Sequence, residues 1–146
     1  MALSIHDNLL ISYEVRCDER TIVLRTEYRV KGKPSEFVNV IFEGVQGYSF
    51  ENDAFGNIIF SLETIAIGQF LKDHGTEISE SYRMAGAPGP WAESLETAST
   101  YLLEQKIQAF DLSSSLGLSG WVLAREFSIS AAQPSFPSDG VDAGTF

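Results

Sequence analysis

Cysteine is almost missing from the 146-residue chain: Cys17 stands alone, so no internal disulfide can form. Asp18 and Glu19 follow it and disfavour a thiolate, so Cys17 reads as a spectator. Basic residues are scarce, 10 Lys and Arg against 20 Asp and Glu, for a formal charge of -10. Affinity for nucleic acid comes mainly from cations that neutralise phosphates, and this balance argues against it. Histidine occurs only as His6 and His74, neither with a second ligand at metal spacing. No apolar run approaches the ~18–20 residues of a membrane span, and the N-terminus lacks the basic segment of a secretory signal. No Asn begins a glycosylation sequon. These absences imply a cytoplasmic chain with no membrane partner and no cofactor.

What is present suffices for a core. Hydrophobic residues make up 44% of the chain, with ten Phe, five Tyr and two Trp. A chain of this length folds as one domain without metal or disulfide, expected over residues 1–130. The segment 131–146 has two prolines, two glycines and no base, and reads as a flexible tail.

Alternation marks the first half as β structure. Ile22, Leu24, Tyr28 and Val30 share one face while Arg25, Glu27 and Arg29 share the other. Leu9, Ile11, Tyr13 and Val15 alternate likewise, and Cys17–Arg20 is the hairpin between the two. Phe37–Glu43 is apolar on both faces at its centre, which suits an inner strand. Tyr48 and Phe50 open a fourth strand, and Ile58–Ile65 forms a fifth.

The period then lengthens. Ile67, Phe70 and Leu71 predict a short helix that Gly75 closes, with His74 favoured at its C-terminus by the dipole. A loop over 84–90 leads to Pro90 as a first helical residue. Trp91, Leu95, Ala98 and Leu102 then mark a helix to about Ile107. Ala109–Ser113 and Gly120–Ile129 read as the last strands, with Trp121, Leu123 and Phe127 on one core face. The fold class is α+β: a largely antiparallel sheet of about seven strands, two helices inserted before the last two.

Chemical motifs are lacking. Gly117-Leu118-Ser119-Gly120 resembles a nucleophile elbow but lacks its final glycine and following helix. The prolines of Ala85–Pro90 remove N–H groups that a phosphate needs. Glu51, Asp53 and Asn57 offer oxygens to a cation, but at spacings unlike the calcium loop, and an Asx turn uses the same residues. Glu93 and Glu96 pair on a helix start, where acids suit the dipole. No catalytic residue is assigned.

Charge and aromatics are more informative. Residues 1–40 hold six acids and six bases, whereas Glu43–Glu104 holds ten acids against Lys72 and Arg83. A solubility face explains this, as does a surface that attracts a basic protein. Around the loop, Tyr82, Arg83, Met84 and Trp91 have the composition of a binding hot spot, although Trp91 also begins the apolar stripe of its helix. With Glu77, Glu80, Glu93 and Glu96 they form the expected partner surface.

The segment Val40-Ile41-Phe42-Glu43-Gly44-Val45-Gln46-Gly47-Tyr48-Ser49-Phe50, with Asn57–Glu63 after it, resembles small bacterial β-rich proteins of the immunity type. The resemblance implies stoichiometric binding of a toxin, an acidic surface matching a basic active site, and no catalytic residues. A small-ligand domain or enzyme with a cleft between sheet and helix is the alternative reading, and a homo-oligomer pairing through a sheet edge is the third.

Overall fold

The computed structural model describes residues 4–86 and 89–132. Eight strands form one antiparallel sheet: β1 (Leu9–Arg16), β2 (Thr21–Tyr28), β3 (Glu36–Glu43), β4 (Gly47–Glu51), β5 (Ile58–Ile65), β6 (Gln108–Leu116), β7 (Ser119–Ala124) and β8 (Glu126–Ala132). Between β5 and β6 lie α1 (Ile67–Phe70), a π turn (Leu71–Gly75), α2 (Thr76–Met84), α3 (Pro90–Glu93) and α4 (Leu95–Glu104). The α+β class with an antiparallel sheet is therefore present, with eight strands rather than seven.

The strand order is β4-β7-β6-β5-β1-β2-β3-β8. β3 runs on into β4 and β7 into β8, and β3 pairs with β8 while β4 pairs with β7. The sheet thus curls back on itself. Its weakest seam joins β1 to β5 through the single pair Leu9–Ile58, reinforced where Asp7 N donates to Ile59 O and Ile59 N to Asn8 O. Inside the roll pack Leu10, Ile22, Leu24, Val40, Phe42, Ile59, Phe110, Leu112 and Val122. A second core lies between the helices and the outer face of β6 and β7, built from Phe70, Leu71, Trp91, Ala98, Leu102, Ala109 and Leu123.

Four departures from the sequence pattern have physical causes. Gly75 does not end a helix. Its φ of -61° is helical, and a Cβ there would lie 3.0 Å from Leu95 Cδ2 and 3.3 Å from Leu71 Cδ2. It is a close-packing glycine inside a continuous helical stretch, and His74 is consequently no C-terminal cap. The Pro90 helix divides at Ser94, whose extended backbone and Oγ, accepting from Thr97 N at 3.0 Å, begin α4 afresh. In β1 a bulge falls between Leu10 and Ser12, which turns Leu10 inward and leaves Ile11 45% exposed. The last expected strand is two, broken at Arg125, whose N–H donates to both Glu43 O (3.0 Å) and Gly44 O (3.2 Å). The break at Arg125 shifts the phase, so Trp121 and Leu123 pack outward against the helices while Phe127 faces Phe42 and Phe110. β8 runs to Ala132, paired to Phe37, so it carries the first two residues of the expected tail. The rest of that tail lies outside the described residues, as do positions 87–88 of the 84–90 loop.

Candidate functional site

Where α2 crosses the outer face of the sheet beside the edge strand β4, a groove of roughly 270 Å³ opens. Gln46, Gly47 and Tyr48 line one side, Glu77, Ile78, Ser81 and Tyr82 of α2 the other, with Trp91, Trp121 and Leu123 between them. The alternation of β7 presents Trp121 and Leu123 here, and the helical spacing of 78, 81 and 82 presents the inner face of α2.

The α2–α3 corner is held by a buried hydroxyl. Ser79 Oγ, 1% exposed, donates to Trp91 O at 2.5 Å, and Arg83 Nη2 donates to Ser79 Oγ at 3.0 Å. Trp91 is 5% exposed, and its ring centroid lies 6.2 Å from that of Tyr82. Trp121 meets Phe70 edge to face at 5.0 Å and His74 at 5.9 Å, so the π turn buttresses one groove wall. Gly47 of β4 faces Trp121, whereas Tyr48, 43% exposed, turns its ring to the other face of the strand, 5.3 Å from that of Phe50. Gln46 Oε1 accepts from Tyr101 OH at 3.2 Å, joining this groove to a shallower one of roughly 440 Å³ along α4, which Glu96, Tyr101 and Glu104 line.

Of the expected surface, Glu77, Tyr82 and Trp91 come together in the groove. Glu96 lies in the α4 groove, and Arg83 is turned to Ser79. Glu80 and Glu93 are exposed but line neither groove, and Met84 projects at 89% exposure from the end of α2. Gln46, Ile78 and Trp121 complete the site although no local pattern in the sequence marked them. They meet through the β4–β7 pairing and the helix packed on it.

Elsewhere the polar constellations serve the fold. Asp53 Oδ1 accepts from Phe55 N and from Asn57 Nδ2, both at 2.8 Å, and Oδ2 accepts from Tyr13 OH at 2.8 Å. The Asn57, Phe55 and Tyr13 donors hold the Asp53 carboxyl below its ordinary pKa, while the same contact with Asp53 raises the Tyr13 phenol. This is the Asx turn. A hollow of roughly 220 Å³ at one end of the roll includes Arg16, Cys17 and Arg20. Its cations are engaged, Arg16 Nε with Glu14 at 3.0 Å and Arg20 Nη1 with Val45 O at 3.2 Å. Among the described residues no group of three or more His, Cys, Asp or Glu is placed to hold a metal, and no helix is long and apolar enough to cross a membrane. No protein-family model matches the chain, and no curated protein or solved structure matches it either.

Proposed function

We propose that the protein is a cytoplasmic, non-enzymatic binding protein that docks a basic partner protein on its helical face, in the manner of an immunity or antitoxin factor. The observation that carries this reading is the aromatic groove beside Glu77, set within a helical layer whose exposed acids include Glu77, Glu80, Glu93, Glu96 and Glu104. Aromatic anchors in a depression edged by a carboxylate, on a face rich in acids, combine affinity with electrostatic steering. The supporting charge is positional: the ten acids of Glu43–Glu104 face two bases.

The test is affinity capture from the source cells with the parent chain and with the fourfold variant Glu77→Lys, Glu80→Lys, Glu93→Lys, Glu96→Lys. A basic protein retained by the parent and lost from the variant supports docking here. Equal retention by both contradicts it. The groove also favours a second reading, a small cationic ligand seated between sheet and helix, which predicts a ligand bound to the purified chain in the absence of any protein partner.

A further inference from the structure

We propose that the groove between α2 and the β4–β7 edge receives an arginine side chain of the basic partner, its guanidinium laid against the aromatic walls and paired with Glu77. The inference rests on the docking reading above and names its anchor. Tyr82 of α2 and Trp121 of β7 bring ring surface to one depression, with Trp91 buried beside them. Stacked aromatic walls suit a planar, weakly hydrated cation better than a compact, strongly hydrated ammonium. Glu77 is exposed at the groove and has no ion pair among the described residues, so its carboxylate is open to a bidentate guanidinium. The volume of roughly 270 Å³ lies just below the ~300–1,000 Å³ of ordinary small-molecule sites and suits one long side chain. The negative balance of the surrounding section supplies complementarity to a cation and to none of the anionic ligands.

The only two tryptophans of the chain, Trp91 and Trp121, both line this groove, so their two indole N–H signals in 1H–15N spectra report on it. The full chain is titrated at low salt with three acetylated, amidated tripeptides of the form Gly-X-Gly, where X is arginine, lysine or citrulline. The arginine peptide is expected to move the indole signals saturably, the lysine peptide to bind several-fold more weakly, and the uncharged citrulline peptide to leave them in place. Glu77→Gln is expected to weaken arginine binding about ten-fold while the circular dichroism spectrum stays that of the parent. Indole signals unmoved by millimolar arginine peptide, a citrulline response equal to that of arginine, or full binding by Glu77→Gln overturns the arginine site. The docking reading fails on a different result, equal capture of the partner by the fourfold reversed variant, so the two failures are separable.

Discussion

Ser79 Oγ donates to the carbonyl oxygen of Trp91, twelve residues away, from a position where the serine is 1% exposed. Through it the last turns of α2 fix the entry to α3, and hence where the Trp91 indole stands. Ser79→Ala leaves the Trp91 carbonyl and an Arg83 donor without this hydroxyl. It is expected to cost about 1–3 kcal/mol in urea unfolding and to shift the Trp91 indole signal. Stability within error of the parent would show that the corner is held by packing alone.

Trp91 itself belongs to the outer core as much as to the groove. Trp91→Ala is expected to cost ~3–5 kcal/mol, read as a large fall in melting temperature. Tyr48→Ala, on a ring 43% exposed, should cost much less. The contrast separates the buried outer core from the exposed edge strand. A Trp91→Ala variant that melts with the parent would place that residue at the surface.

The sheet was legible wherever a strand is half-buried. Ile58–Ile65 has the bounds expected of the fifth strand, and Pro90 starts a helix as its fixed φ predicts. Alternation failed at Ile11, where a bulge inverts the side chains beyond it, and at Arg125, where the strand breaks and the phase resets, both while leaving composition unchanged. Gly75 misled because a glycine chosen for close packing and one chosen for a left-handed cap are the same letter; only the approach of Leu71 and Leu95 tells them apart. Glu77, Tyr82 and Trp91 were found through charge and aromatic composition near one loop. Trp121 was not, since its meeting with α2 depends on tertiary packing between residues far apart in the chain.

Asn57, 3% exposed, ties the β4–β5 turn to the β6–β7 turn: its Oδ1 accepts from Ala54 N at 2.9 Å and from Leu118 N at 2.8 Å. Asn57→Ala is expected to cost about 1–3 kcal/mol for each buried donor it orphans. Gly117→Ala should be destabilising too, because φ is +93° and an added Cβ overlaps the Asn57 amide. Chemical denaturation of both variants checks this; parent-like midpoints would refute the role given to the Asn57 bridge.

The Asp53 turn gives stability a pH dependence of definite sign. The folded-state pKa of Asp53 is depressed by donors from Asn57, Phe55 and Tyr13. Its contribution is therefore present above the unfolded pKa, about 4, and is lost as pH falls through the lower folded value. Glu27, depressed by hydrogen bonds from Arg29 and then Ser35, acts in the same direction. The Tyr13 phenol is raised, chiefly by its hydrogen bond to Asp53, so its contribution holds below the unfolded pKa and fades as alkaline pH passes the folded one. Urea midpoints for the parent and Asp53→Asn should converge as pH falls from neutrality toward 2. A constant gap between them would contradict the assignment.

The docking surface itself is tested most directly by zero-length carbodiimide cross-linking of the chain to its captured partner, with the joined carboxylates located by mass spectrometry. The reagent links a carboxylate only to an amine in contact with it. The account predicts links from Glu77 and its neighbours Glu80, Glu93 and Glu96 to partner lysines. Links confined to Asp18, Glu19 or Glu126, with the helical carboxylates unmodified by the partner, would contradict it.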